Sequence, residues 1–287
     1  MPASLDATPR TTSSPRIGAY GFEITGVDGA RSLVAGVPES WPRLAIEVMP
    51  ETPGPPSDGV GADRAELRLT GGGWVAVDRA PGRAVFHVPN SPGPEGLVHP
   101  YLAPVALISA RWLGRESFHA GAFVAGGGVW AILGGKEAGK STTLAWLAQS
   151  GRPVVCDDAL ILDGTTALAG PRSIDLREES ARRLGIGEPL GRVGRRDRWR
   201  VPLAPVPPEL PFRGWVSLEW GEEIAVEPLR GAARLPALAP HRGVFLEPPR
   251  PALLVEYAGL PHWRLRRPRD ARRLAAGCEA LLTVLER

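Results

Sequence analysis

An α/β domain behind a β-rich N-terminal region is the fold class that this 287-residue sequence predicts. Three observations carry it. An apolar run at 129–133 leads through a glycine-rich turn into a helix-forming stretch at 142–150. Short strand-like runs separated by Gly- and Pro-rich turns fill residues 17–98. The chain closes on an amphipathic helix, where Leu274, Cys278, Leu281 and Leu285 form one apolar stripe.

Composition sets the outer limits. Hydrophobic residues make up 43%, ample for a core, and the formal net charge is only +3. That balance does not argue for a nucleic-acid partner. No apolar run approaches membrane-spanning length, so no membrane partner is expected and the protein is read as cytoplasmic. Cys156 and Cys278 each sit in an apolar element and read as buried thiols, not a disulfide framework. Residues 1–16 lack a hydrophobic signal core and read as a disordered tail. The remainder divides into a β-rich region at 17–98 and the α/β domain at 99–287.

The elements follow in order. Strands are expected at 20–25, 44–48, 67–69, 74–77 and 84–88, with a Pro/Gly-rich loop at 50–63. Pro100 sits near the first position of a mostly apolar helix at 101–113. A strand at 117–124 turns through glycines into the strand before the glycine loop. A further buried strand, 152–158, ends in Asp157 and Asp158, and 159–162 continues it past a kink. Asp163-Gly164 signals a hairpin with 167–169. A short helix is expected at 178–184, then a loop at 191–200 carrying Arg192, Arg195, Arg196, Arg198 and Arg200. Residues 215–220 and 224–228 look like a strand pair. Two short helical pieces at 232–238 and 252–257 precede the last helix, which begins near Asp270.

The chemistry concentrates in the run Gly134, Gly135, Lys136, Glu137, Ala138, Gly139, Lys140, Ser141, Thr142. Gly134, Gly139, Lys140 and Ser141 fit Gly-x-x-x-x-Gly-Lys-[Ser/Thr], the phosphate-binding P-loop or Walker A pattern. Glycines let successive N–H groups curl toward one anion. A lysine reaches β- and γ-phosphates as a mobile charge, a serine hydroxyl ligates Mg2+, and the following helix aims its positive end at the phosphates. Lys136 and Lys140 are the only lysines of the chain. A strand after such a helix commonly brings a carboxylate to the metal, which makes Asp157 and Asp158 candidates. His119 lies on the strand beside the one that feeds the loop. The arginine-rich stretch has two readings, a clamp for phosphate or an acidic peptide and a solvated charged face.

Together these residues resemble the catalytic domain of the HPr kinase/phosphorylase family, whose fold is similar to phosphoenolpyruvate carboxykinase. In that family a His-Gly strand precedes the P-loop and an Asp-Asp pair ends the next strand. Here His119 lies 15 residues before Gly134, and Asp157 lies 17 after Lys140. The likeness covers roughly residues 119–163. The loop departs from the family's usual Gly-Asp-Ser-Gly-x-Gly-Lys-Ser, and the later signature with a metal-binding glutamate has no match. Asp175 and Glu178 are candidates to replace it. The resemblance implies an α/β kinase domain that binds ATP and Mg2+. Asp157 would serve as base, Asp158 and Ser141 as metal ligands, and Lys140 as stabiliser of the phosphoryl charge, helped by an arginine from 195–200. His119 would orient Asp157 or the phosphate. The implied acceptor is a serine-type hydroxyl on a peptide or protein; relatives of this type include kinases of lasso-peptide precursors. A non-catalytic nucleotide-binding regulator and a small-molecule kinase are the alternatives, and homo-oligomerisation stays open.

Overall fold

The computed structural model describes residues 15–287 apart from 56, 194–195 and 244–249, and not the side chain at 196. Arg195, the side chain of Arg196 and most of the expected N-terminal tail therefore lie outside the described residues.

The N-terminal strands are β1 (Ile17–Ala19), β2 (Phe22–Thr25), β3 (Val34–Ala35), β4 (Arg43–Pro50), β5 (Gly59–Val60), β6 (Arg64–Arg68), β7 (Trp74–Asp78) and β8 (Arg83–Val88). They form one mixed sheet in the order β3-β1-β2-β4-β8-β7-β6-β5. Alternation explains its burial: Leu44 and Ile46 of β4 point inward, and the charged Arg43 stays out. After α1 (Gly93–Gly96) a wide turn, Leu97–Tyr101, leads into α2 (Leu102–Trp112). The expected helix start is displaced to Leu102. Pro100 forces the residue before it out of the helical region, and His99 is extended at φ −145°, ψ 120°.

The second sheet is built from β9 (Glu116–Phe118), β10 (Gly121–Ala125), β11 (Gly128–Leu133), β12 (Val154–Cys156), β13 (Leu160–Asp163) and β14 (Thr166–Leu168). Helix α3 (Lys140–Gln149) separates β11 from β12. A smaller sheet follows, with β15 (Ser173–Arg177), then α4 (Glu178–Leu184), β16 (Glu188–Val193) and β17 (Arg196–Pro202). The chain then returns through β18 (Glu209–Trp220), β19 (Ala225–Pro228), α5 (Arg234–Leu238), α6 (Pro251–Gly259), β20 (His262–Arg267) and α7 (Leu274–Leu285). The second sheet runs β12-β10-β11-β18-β14-β13-β9, with β20 added on β18 and β19 on β20. Strands β11, β18 and β20 are parallel neighbours, so their C-terminal ends meet at one rim. Open sheets bind ligands at such rims.

Three expectations change. β19 does not pair with β18, because β20 lies between them, parallel to one and antiparallel to the other. The arginine-rich segment is a hairpin, β16–β17, and not a loop. Trp199 and Val201 alternate inward to the core there, leaving Arg198 and Arg200 on the opposite face. The strand expected at 117–124 is broken: β9 pairs with β13 and β10 with β12, and the break falls at His119-Ala120.

One apolar cluster runs from the N-terminal sheet through α2 into the second sheet, joining Phe22, Ile24, Phe86, Val105, Phe118, Leu160 and Trp215. Polar contacts cross the same boundary. Tyr20 donates its backbone N–H to Ala169 O at 2.7 Å, and Trp41 Nε1–H donates to Glu209 Oε1 at 2.7 Å. A second cluster buries Leu144 and Leu147 of α3 against Leu274, Cys278, Leu281 and Leu285 of α7. Both cysteines are buried free thiols. No helix among the described residues is long and apolar enough to cross a membrane.

Candidate active site

The glycine loop leaves β11 at Gly134 and enters α3 at Lys140. Gly139 caps the helix at φ +89°, a left-handed conformation, and a β-carbon there would stand 2.6 Å from Arg267 Nη2. The dihedral favours glycine here, and a side chain would also have to displace the tip of Arg267. Lys140 is buried and donates from Nζ to Gly134 O at 2.8 Å. Burial lowers its pKa, and the carboxylates of Asp158 and Asp157 pull it back up. Gly135, Lys136 and Glu137 are exposed at the crest of the loop. Glu137, at φ +68°, is held by Arg177 at 3.0 Å, so the loop's one acid is paired with a cation. Ala138 packs against the core, and Thr142 pairs its hydroxyl with Ser180 at 3.0 Å.

The aspartates sit where two strands break in step. β9 and β10 run antiparallel to β13 and β12, with Phe118 opposite Leu160 and Ala122 opposite Cys156. Between those points His119-Ala120 faces Asp157-Asp158 without a ladder. A β-carbon at Gly121 would meet Asp157 O at 2.5 Å, so the chains approach closely. Arg172 fixes the approach to the aspartates by donating to Val155 O at 3.1 Å and Ala204 O at 2.8 Å. Asp158 is exposed on the cleft wall, whereas Asp157 is only 4% exposed beneath it. Burial pushes the Asp157 carboxyl well above the usual range, and the neighbouring Asp158 charge adds to it. The Ser141 hydroxyl and the backbone N–H of Asp175 oppose this by hydrogen bonding. Its Oδ1 is buried with no hydrogen-bond partner among the described residues.

These residues open on a cleft of about 1160 Å³. His119, Lys140, Ser141, Asp158, Arg198 and Arg267 line it, together with Arg68 and Thr70 from the N-terminal sheet. The structure therefore brings the loop, His119 and the aspartate pair to one place. The ring of His119 makes no hydrogen bond to either aspartate among the described residues; its backbone N–H donates to His241 O at 2.6 Å. Of the arginines, Arg198 faces the cleft. Arg200 instead clasps Asp175, Nε to Oδ1 at 2.9 Å and Nη2 to Oδ2 at 3.0 Å. It is therefore committed to a carboxylate and is not a free phosphate ligand. Asp175 lies buried in the site, while Glu178 is on the exposed face of α4 and pairs with Arg182.

Two residues escaped the sequence reading. Arg267, at the end of β20, is 4% exposed, and its Nε has no partner among the described residues. It donates to Thr143 Oγ1 at 3.3 Å and lies over the Trp220 ring at 4.6 Å. No carboxylate pairs with it among the described residues. His99 is also 4% exposed. One of its ring nitrogens and one carboxylate oxygen each from Asp157 and Asp158 lie within 4.8 Å of one another. Burial lowers the His99 pKa, against the pull of Asp175 and Asp158. No sequence signal marked either residue, because each reaches the site through a chain turn or crossover far from the motif.

No family model matches the chain. No curated protein matches it. A solved structure, the HPr(Ser) kinase/phosphatase from Coxiella burnetii, is similar over 58% of this chain and 87% of that one, at 14% identity and a TM-score of 0.30. A likeness at that score carries no weight for fold or function.

Proposed function

We propose that this protein is an ATP-dependent kinase of the P-loop type, resembling HPr kinase, that phosphorylates a serine-type hydroxyl of a peptide or protein. The observation that carries the reading is the buried Asp157 carboxyl. Its Oδ1 has no hydrogen-bond partner among the described residues, and it sits beside Ser141 at the foot of a Gly-x-x-x-x-Gly-Lys-Ser loop. Loop N–H groups and the N-terminus of α3 take the phosphates, and Lys140 leaves Gly134 O to meet them. Asp158 and Ser141, oxygen donors on the cleft wall, fit a divalent cation and would hold Mg2+ there. Such a cation, when bound, neutralises charge on the β- and γ-phosphates. The acceptor oxygen attacks the γ-phosphorus, its proton passes to Asp157, and ADP leaves with the bridging oxygen. Lys140 and Arg267, which has no carboxylate partner among the described residues, stabilise the charge that spreads over the transferring group. His119, on the same wall, orients the γ-phosphate.

The test is phosphoryl transfer from ATP to serine-containing peptides, followed by mass spectrometry and ADP release. Transfer should occur, and Asp157→Asn should slow turnover by about a hundredfold to ten-thousandfold. ATP affinity should barely change. Nucleotide binding without transfer to any hydroxyl acceptor would leave a binding protein and sink the kinase reading.

A further inference from the structure

His99 stands in a built position. It comes from the turn between the N-terminal sheet and α2, and its Nε2 lies 3.5 Å from Asp175 Oδ2. Arg200 grips that same Asp175 through two bonds. The guanidinium also donates to the carbonyls of His99 at 2.8 Å and Glu95 at 3.2 Å. One arginine thus fixes both the backbone of the histidine and the carboxylate facing its ring. A carboxylate behind an imidazole, with oxygen donors close by, is the arrangement that orients histidine ligands of metal ions. Here the nearby donors are Asp157 and Asp158, each with one oxygen within 4.8 Å of one of the two ring nitrogens. Asp157 Oδ1, buried and without a hydrogen-bond partner among the described residues, is a second acceptor at the same place.

We infer that His99 is a nitrogen ligand to the divalent cation held at Asp158, making a mixed nitrogen–oxygen site that selects a first-row transition cation such as Mn2+ over Mg2+. The inference rests on reading the cleft as a cation-dependent nucleotide site. Mg2+ takes hard oxygen donors and gives up water reluctantly. Imidazole suits the transition metals, which gain affinity from nitrogen. Asp175 and Arg200 are positioning residues: they hold the ring and touch no reacting atom.

Mn2+ itself is the probe, bound to the full chain with a non-hydrolysable ATP analogue and observed by electron paramagnetic resonance. Electron spin echo modulation of the wild-type protein should show a nitrogen-14 coupling of the imidazole type. This needs no variant and so does not depend on a buried substitution folding. Mg2+ should displace Mn2+ only at a concentration at least about tenfold higher. In His99→Gln the nitrogen modulation should vanish and the Mn2+ preference with it. Bound Mn2+ without nitrogen modulation, modulation that persists in His99→Gln, or equal competition by Mg2+ would overturn the proposal. The two readings separate cleanly. Nitrogen modulation without phosphoryl transfer leaves the metal site and removes the kinase; transfer without modulation does the reverse.

Discussion

The ammonium of Lys140 donates to the carbonyl of Gly134 at 2.8 Å, across the mouth of the loop it closes. The lysine is thereby parked on the backbone it would leave on meeting a phosphate. Lys140→Ala should weaken ATP binding by at least about tenfold, the scale of a lost charge-assisted bond. The fold should persist, because α3 is anchored by Leu144 and Leu147 and not by the lysine. Titration calorimetry and a thermal melt check both halves. A folded variant with wild-type ATP affinity would remove the loop from the nucleotide site.

Arg267 provides a second, independent cation at the same rim. Arg267→Gln keeps a polar group near Thr143 but loses the charge. ATP affinity should fall by about tenfold while AMP affinity stays near wild type, because only the distal phosphates need the cation. Comparing the two nucleotides by calorimetry separates charge recognition from general damage. An equal loss for ATP and AMP would make Arg267 a packing residue.

The Arg198 and Arg200 side chains, two apart on β17, should part company. Arg200 is mostly buried against Asp175, and Arg200→Ala leaves that carboxylate with only the His99 ring beside it. Its cost should be roughly 3–5 kcal/mol, read from denaturant unfolding. Arg198→Ala should change stability within about 0.5 kcal/mol. It should instead raise KM for an acidic acceptor peptide, more so at low salt, where exposed charges are less screened.

Asp157 makes a prediction about stability and pH. Its carboxyl is raised on folding by burial. Between the ordinary aspartate pKa and the raised folded value, the unfolded chain has lost the proton and the folded chain keeps it. Stability therefore falls as pH rises through that window. Asp157→Asn removes the penalty, so in the presence of chelator the variant should melt higher than wild type at neutral pH. The gap should close at pH below the ordinary aspartate range. A variant that melts lower at neutral pH would mean that the charged form is stabilised in the fold.

Much of the placement of this candidate site could be read from the chain. The strand-loop-helix at 129–150 was legible because three local signals agree: an apolar run, glycines at fixed offsets, and good helix formers after them. The aspartate pair was legible by its distance from Lys140. What failed depends on long-range geometry. Residues 224–228 follow 215–220 closely, so a hairpin was the natural reading, yet β20 enters between them by a parallel crossover. Its sequence, His-Trp-Arg-Leu-Arg-Arg, hides a half-buried strand beneath its charges. The arginines of β17 likewise masked the inward alternation of Trp199 and Val201. His99 was invisible for a different reason: Pro100 reads as a helix start, and nothing local says that the residue before it turns toward a site formed by β12.

The apolar cluster that passes without interruption from β2 and β8 through α2 to Trp215 also bears on how such a chain evolves. A boundary near residue 98 exists in composition but not in packing. Detaching the N-terminal sheet would strip α2 and β9 of their cover and remove Arg68 and Thr70 from the cleft wall. The sheet is therefore not an exchangeable module that recombination can swap onto another core. Changes on its inner face are constrained to co-vary with those on α2, so the two regions share one mutational fate.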